Sequence, residues 1–318
     1  MEKIKLLDNW KFCKGVVSSL KIMEMSGKAP EVVTLPHDAM IYEKRTKETK
    51  NGSQTGFYPG GIYTYFKDID VPEEWENRAA ILEFEGIYET AMVYVNGALA
   101  ATNLYGYSGF FVDLKPYLNY GQMNQIKVIA DNSAEENSRW YSGSGIYRSV
   151  NLSVMDKVHV GLNGTKVETP DLKSNTKSVT TNIKTTVQNE GTEKASVELT
   201  HNIFKKGTEE SIGTVTTQAQ DVGAGKSQVI EATVNAKNPS LWSPENPALY
   251  TVRTEVKVGG KVVDTYDTEF GFRYFEMTND KGAYLNGEKI KLKGVCMHHD
   301  QGSLGSAAYR RAIERQVD

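Results

Sequence analysis

The chain has 318 residues, of which 39% are hydrophobic, and its 37 Lys and Arg nearly balance its 40 Asp and Glu to give a formal net charge of −3. This balance, without a concentrated basic stretch, argues against a nucleic-acid partner, and no apolar run is long enough to cross a membrane. The length predicts about two domains, or three if they are small β domains.

The first residues and the cysteines bear on the cellular compartment. Met1 to Lys5 lacks the apolar core of a secretory signal, which favours a cytoplasmic protein, and a secreted or periplasmic protein stays open if a signal has been removed. The two cysteines, Cys13 and Cys296, lie far apart and predict neither a disulfide framework nor a metal site. We expect Cys296 to be a small buried hydrophobe on a strand.

Residues 1–155 have the pattern of a β-sandwich. Ala91, Val93 and Val95 occupy every second position and lead into Asn96-Gly97, a dipeptide that favours a tight hairpin because both residues tolerate positive φ. Short runs of this kind, separated by Gly, Asn and Pro, are typical of all-β domains. The segment is about the right length for one jelly-roll-like sandwich.

Residues 156–275 differ in composition, with fewer aromatic residues and more Thr, Val and Lys. From Val252 to Val258, apolar residues or Thr alternate with charged residues, and the run ends at Gly259-Gly260. Roughly seven strands of this kind in about 110 residues are typical of an immunoglobulin-like sandwich. The sequence therefore predicts a second β-sandwich here.

Residues 276–318 have a different pattern, that of one strand followed by a helix. An apolar-alternating strand is expected after Asn286-Gly287 and ends at His298, His299 and Asp300. Beyond a glycine-containing loop, Tyr309, Ile313 and Val317 have the spacing of one helix face. In a (β/α)₈ barrel the chemistry lies at the carboxyl ends of the strands. We therefore interpret this segment as the start of a truncated catalytic barrel.

A series of short sequence motifs, called words below, runs through all three segments in a fixed order. They are Leu35-Pro36-His37-Asp38, Gly60 to Tyr65, Val93 to Gly97, Gly106-Tyr107 with Phe110/Phe111 and Asp113-Leu114, Arg139 to Arg148, Leu241 to Tyr250, Gly271-Phe272-Arg273, and Leu292 to Val295. In this order the words resemble glycoside hydrolase family 2, the family of β-galactosidases, β-glucuronidases and β-mannosidases. The resemblance covers essentially the whole chain.

The resemblance implies a sugar-binding jelly roll, an immunoglobulin-like domain and a catalytic barrel, with bounds at 1–155, 156–275 and 276–318. It implies retaining hydrolysis of terminal β-D-glycosides by two glutamates on late barrel strands, with carboxyl groups roughly 5 Å apart. Both glutamates are expected beyond Asp318, so these residues alone should be inactive. The word from Met297 to Gly302 looks most like the β-galactosidase branch. A β-glucuronidase, a β-mannosidase and a non-catalytic carbohydrate-binding module are the alternatives.

The same resemblance implies the partners. We expect a carbohydrate substrate and the rest of the chain's own barrel, and leave a homo-oligomer open. No cofactor is expected in these residues, and a divalent or sodium ion is left open for the full enzyme. Metal binding by His298 and His299 is disfavoured because neighbouring residues on a strand point to opposite faces.

The candidate substrate-binding residues lie in two places. His298, His299 and Asp300 are expected either to contact the sugar directly or to form a hydrogen-bonded structural cluster. Trp140 and Tyr141 could stack on a pyranose ring, and the tryptophan could equally plug the core. Arg139 stands where well-known members of the family carry a sugar-contacting aspartate, five residues before Ser144.

Arg139 cannot replace that aspartate directly, because a guanidinium donates hydrogen bonds and does not accept them. Either the substrate differs from that of the well-known members, or a nearby acid takes over. The nearby acids are Glu135, Glu136 and Asp131.

Overall fold

The computed structural model describes residues 1–50, 52–134 and 138–318. The chain divides into two compact units, one formed by Glu2–Val154 with Cys296–Asp318 and the other by Met1 with Met155–Val295. The strands of the first unit are β1 Glu2–Lys5, β2 Trp10–Lys14, β3 Glu31–Val33, β4 Gly61–Val71, β5 Arg78–Phe84, β6 Thr90–Val95, β7 Ala98–Asn103, β8 Phe110–Asp113, β9 Gln122–Asn132 and β10 Val150–Asp156.

The first unit is a sandwich of two sheets, with strand orders β1-β10-β5-β8 and β3-β2-β4-β9-β6-β7. Ala91, Val93 and Val95 face inward from β6 and are buried, as their spacing predicts. The expected hairpin turn joins β6 to β7, with φ of 48° at Asn96 and 87° at Gly97. Short helices accompany the strands: α1 at Leu20–Met25, α2 at Arg310–Val317, and 3₁₀ turns at Gly52–Thr55, Glu73–Asn77, Lys115–Tyr117 and Gly302–Leu304.

The inward faces of both sheets share one apolar core. Trp10, Tyr65 and Phe84 are fully buried in it, together with aliphatic residues from most of the strands. Aromatic side chains of this size bury 150–250 Å² each and dominate the energetics of such cores. The aromatic-rich composition of residues 1–155 is therefore used mainly in packing.

The strands of the second unit are β11 Val158–Glu168, β12 Ser178–Asn189, β13 Ala195–Lys205, β14 Ser211–Thr216, β15 Gln220–Val222, β16 Lys226–Lys237, β17 Tyr250–Val258 and β18 Lys261–Phe270, followed by a small sheet of β19 Phe275–Thr278, β20 Gly282–Leu285 and β21 Glu288–Lys289. The larger strands form another sandwich of two sheets, with strand orders β11-β12-β16 and β14-β13-β17-β18, and with β15 paired to β13. Neighbouring strands pair antiparallel, for example Val252 of β17 opposite Ile203 of β13.

The expected barrel strand is where the structure differs from the sequence prediction. Only Glu288–Lys289 pair as a strand after the Asn286-Gly287 turn, and residues 290–301 have no regular structure. A strand of a parallel sheet needs a neighbour to satisfy its backbone hydrogen bonds, and the described residues provide none beside this segment. Cys296 is exposed for the same reason, so the expectation that it is buried is wrong.

The helical part of that segment is present as α2, and its expected apolar face is partly open to solvent. Tyr309, Ile313 and Val317 are 40%, 39% and 74% exposed. In the part of the chain that the structure describes, no helix is long and apolar enough to span a membrane.

Candidate functional site

The candidate site lies within the first unit, where the loop between β9 and β10 meets the segment before α2. The Nε2 of His299 donates a hydrogen bond to the carbonyl of Ser142 at 3.0 Å. Because a carbonyl oxygen only accepts, this ring nitrogen carries the proton. A second link is made by the amide of Ala308, which donates to the carbonyl of Tyr147 at 2.8 Å. Two sets of predicted residues, far apart in sequence, are thereby brought together.

Aromatic rings line the place where the two segments meet. The indole of Trp140 lies 5.0 Å from the ring of His298, measured between centroids. Its Nε1 donates to the hydroxyl of Tyr107 at 3.0 Å. The rings of Tyr107 and Tyr147 each lie 5.6 Å from that of His299. These side chains form a wall of rings whose polar edges are hydrogen-bonded, a type of surface that suits an amphipathic ligand.

Asp38 is a buried carboxylate that contacts the same two segments, with 2% of its surface exposed. Its Oδ1 accepts hydrogen bonds from the amides of Met40 at 2.9 Å and Ser144 at 3.1 Å. Its Oδ2 accepts from the hydroxyl of Tyr141 at 2.7 Å and the amide of Ser306 at 2.8 Å. A carboxylate has about four acceptor positions, so this arrangement satisfies the buried charge.

Two glycines allow the segments to approach Asp38 this closely. Gly143 and Gly305 have φ of 69° and 60°, in the region that disfavours residues with a Cβ. A Cβ on Gly143 would collide with Ser306, and a Cβ on Gly305 would collide with the Asp38 carboxylate. The glycines of the two loops are therefore needed for packing as well as for turn geometry.

Burial keeps the polar groups around Asp38 uncharged. It raises the pKa of the Tyr141 hydroxyl, and the adjacent Asp38 charge raises it further, so the phenol remains a donor. Burial lowers the pKa of His37 to about 4, partly opposed by Asp38. The neutral His37 ring shares a hydrogen bond with the hydroxyl of Tyr65, at 2.9 Å through Nδ1.

The remaining candidates take no part in this network. The side chain of Arg139 is exposed, and Asp300 is half-buried with its carbonyl 3.5 Å from the Gln316 amide. Asp131 accepts hydrogen bonds from the amide and hydroxyl of Ser133, at 2.9 and 2.6 Å, and so caps its own turn. Glu135 and Glu136 lie outside the described residues.

A cleft of about 900 Å³ opens beside the aromatic wall, within the same unit. Its lining combines rings with charges of both signs. They include Tyr147, His298, His299, Glu85, Arg148 and Glu314. The described residues hold no group of three His, Cys, Asp or Glu side chains arranged for a metal ion.

Sequence reasoning did not assign a role to Asp38, although it noted the word that contains it. The partners that define its role are distant in sequence, since Ser144 and Ser306 are 106 and 268 positions away. The signal in the sequence that could have pointed to Asp38 was its place directly after the apolar pair Leu35-Pro36 and a histidine. Tyr107 was noted in the same way and was not proposed as a site residue.

Antiparallel β-sandwiches are a fold class that includes sugar-binding lectin domains among many others, and comparison with family models narrows the class of protein. Residues 44–155 match the model described as "Glycosyl hydrolases family 2, sugar binding domain". Residues 165–273 match the model described as "Glycosyl hydrolases family 2". The chain belongs to glycosyl hydrolase family 2, as its sequence words indicate.

Individual relatives agree with this assignment. The chain is 37% identical to the β-galactosidase BoGH2A of Bacteroides ovatus, over 90% of this chain and 33% of that protein. It is 27% identical to a β-glucuronidase of Formosa agariphila, over 90% of this chain and 31% of that protein. A crystal structure of a family 2 member from Bacteroides cellulosilyticus matches with a TM-score of 0.92 at 28% identity, covering 100% of this chain and 41% of that one.

These comparisons confirm the predicted class, a mainly β chain with the sugar-binding and immunoglobulin-like sandwiches of the family. The chain spans about a third of the length of the curated relatives it matches.

Proposed function

We propose that this chain is the sugar-binding and barrel-supporting part of a retaining β-glycosidase that hydrolyses terminal β-D-galactosides. The observation that carries the proposal is the aromatic wall, of which His298, His299 and Tyr147 line the cleft, while Trp140 packs against His298. The flat faces of a pyranose can stack on such rings while its hydroxyls meet the polar edges. The substrate-binding role of Tyr141, His299 and Asp300 is part of this proposal.

The two carboxyl groups of the reaction are proposed to come from outside these 318 residues. Retention of configuration needs two such groups about 5 Å apart and free to act on the sugar. Asp38 is buried and accepts hydrogen bonds on both oxygens, so it is unsuited to act as a nucleophile or an acid. We therefore expect the sandwiches to support the barrel and shape one side of the substrate pocket.

Arg139 favours a second candidate, a β-glucuronidase. Its guanidinium is exposed, and it occupies the position where well-known members of the family carry an aspartate. A guanidinium suits the carboxylate of a uronic acid, which it can bind through two parallel hydrogen bonds. The galactoside remains our first choice because of the word at Met297 to Gly302 and because a β-galactosidase relative is 37% identical to this chain.

Hydrolysis of nitrophenyl β-galactoside, β-glucuronide and β-mannoside tests these candidates. We expect turnover of the galactoside by the longer protein that contains this chain, and none by the 318 residues alone beyond a heat-denatured control. Trp140→Ala should lower kcat/KM for the galactoside by about tenfold or more, the scale of a lost 1.4 kcal/mol contact. The matched control is Phe275→Ala, which removes an exposed aromatic ring from the other unit.

Arg139→Ala separates the two sugars. If the substrate is a glucuronide, this change should raise KM for the glucuronide. If the substrate is a galactoside, the change should leave KM for the galactoside unaffected. Turnover by the 318 residues alone would contradict the proposal, and so would a longer protein that hydrolyses none of the glycosides.

A further inference from the structure

Among the described residues, hydrogen bonds join the loop between β9 and β10 to the segment before α2 at three points, and one of these links differs from the others. The links His299 to Ser142 and Ala308 to Tyr147 each join one donor to one backbone carbonyl. The third link is the buried carboxylate of Asp38, which belongs to neither segment. It contacts both of them, and on the first segment one of its donors is Tyr141, the residue that follows Trp140 in the chain.

We infer that Asp38 is a positioning residue, which fixes Trp140 against His298 by binding Tyr141 and Ser144 on one segment and Ser306 on the other. The inference rests on the proposed function, since it assigns Asp38 an indirect role in the same sugar site. Asp38 itself is buried behind Tyr141 and does not face the cleft. It acts by holding together two segments that would otherwise share only neutral links.

The chemistry of the four donors requires a carboxylate at this position. The two segments donate to different oxygens of Asp38. The amide of Ser144, in the loop between β9 and β10, donates to Oδ1, and the amide of Ser306, before α2, donates to Oδ2. An asparagine has one acceptor oxygen and one NH₂ group. Whichever way its amide turned, the NH₂ would oppose one of these two backbone donors. Asp38→Asn, although almost the same size, should therefore release one of the segments.

The glycines give independent support. A Cβ at Gly305 would collide with the Asp38 carboxylate, and a Cβ at Gly143 would lie 2.9 Å from its Oδ2. Each segment thus has a glycine at its point of closest approach to the carboxylate. A carboxylate that only satisfied its own loop would not need this access from both sides.

Fluorescence of Trp140 provides the test, because a protonated imidazole quenches an indole next to it. The chain as it stands should emit less at about pH 5 than at about pH 8, the range over which imidazole side chains in general gain their charge. The decrease should be absent in Trp140→Phe and in His298→Gln, which assigns it to this pair among the four tryptophans. Asp38→Asn should lose most of the decrease and should also lose amide protection at Ser306.

A matched control separates positioning from general support of the fold. Asp264 is a buried aspartate of the other unit, and it accepts from the amide of Val160 at 3.0 Å and from the amino terminus at 2.6 Å. Asp264→Asn should lower the unfolding temperature and leave the quenching of Trp140 unchanged. If Asp38→Asn fails to fold, Gly305→Ala is the second variant, since its Cβ would collide with the carboxylate and force the segment before α2 and Asp38 apart while the aspartate is still present.

The outcomes are distinct. Quenching that survives both Asp38→Asn and Gly305→Ala, with only a lower unfolding temperature, would show that Asp38 is structural and overturn the inference. The absence of quenching in the unchanged protein would overturn it as well. Neither result depends on sugar binding or turnover, so a failure of the proposed function would be recognised separately from the hydrolysis assays.

Discussion

In the first sandwich the inward side chains of both sheets form one apolar cluster, whereas the second sandwich has two clusters. The first core contains fully buried large aromatic rings such as Trp10, Tyr65 and Phe84. In the second, a polar layer lies between an aliphatic cluster and a cluster that contains the rings of Tyr250 and Phe272. One large ring can contact side chains from several strands, whereas polar side chains at inward positions must find hydrogen-bond partners within the core.

The polar layer consists of Thr185, His201 and Thr254, all fully buried. Each takes an inward position of its strand with apolar residues two positions away on either side, from one cluster before and the other after it. The Nδ1 of His201 shares a hydrogen bond with the Thr254 hydroxyl at 3.0 Å. The Nε2 of His201 and the hydroxyl of Thr185 have no hydrogen-bond partner among the described residues. The second core therefore contains buried polar atoms without hydrogen bonds, which lower its stability, and none of the residues in the cluster of the first core has such an atom.

Removing a ring from the continuous core should have the largest effect. Phe84 is fully buried and stacks on Phe110 at 5.2 Å. We expect Phe84→Ala to lower the free energy of unfolding by about 3–5 kcal/mol, from lost transfer energy and an unfilled cavity. Urea unfolding measures the change. The control is Phe111→Ala on the neighbouring strand β8, where the ring is 45% exposed. Equal losses for the two variants would contradict the description of this core.

The sandwiches could be predicted from the sequence because a strand that buries one face has apolar residues at every second position, a pattern visible within a few residues. Val93 and Val95 alternate along β6, and the inward residues of β12 do the same from Val179 to Val187. The prediction of a strand before His298 was wrong. Its residues alternate in the same way as those of β6 and β12, but the described residues place no neighbouring strand beside them. Alternation shows which face a strand would bury, and a sheet also needs a partner for its hydrogen bonds.

The candidate site was predictable only in part, for a similar reason. Trp140, His298 and His299 belong to sequence words whose residue types suggest a sugar contact, and they do lie together. Their substrate-binding role stays a prediction. Asp38 could not be assigned from the sequence, because its role depends on donors that are brought to it by the fold from distant parts of the chain.

Acid should destabilise both sandwiches, each through one buried histidine. Burial lowers the pKa of His37 and of His201 from 6.5 to about 4. Between these values the unfolded chain binds a proton that the folded chain does not, so stability is fully present above pH 6.5 and is lost as the pH falls towards 4. At 1.36 kcal/mol per pKa unit, each histidine should cost about 3 kcal/mol over that range.

Urea unfolding between pH 7.5 and 4.5 measures this loss, and variants assign it to a sandwich. His201→Leu should remove the share that comes from the second sandwich and leave the share of the first. His37→Gln should do the reverse. If His201→Leu left the pH dependence unchanged, the buried imidazole of the polar layer would not be neutral as described.

The smallest expected effect is a gain in stability from the polar layer itself. The Thr185 hydroxyl is buried and has no hydrogen-bond partner among the described residues, so it has lost its hydration without replacement. Thr185→Val puts a methyl group of similar size in its place and should raise the free energy of unfolding by about 1 kcal/mol. The control is Thr181→Val on the same face of β12, where the hydroxyl donates to the Val179 carbonyl at 3.3 Å. That change gives up a hydrogen bond and should give no gain. A loss of stability in Thr185→Val as large as that in Thr181→Val would mean that the Thr185 hydroxyl is satisfied in solution, and that the polar layer costs the second sandwich less than its geometry indicates.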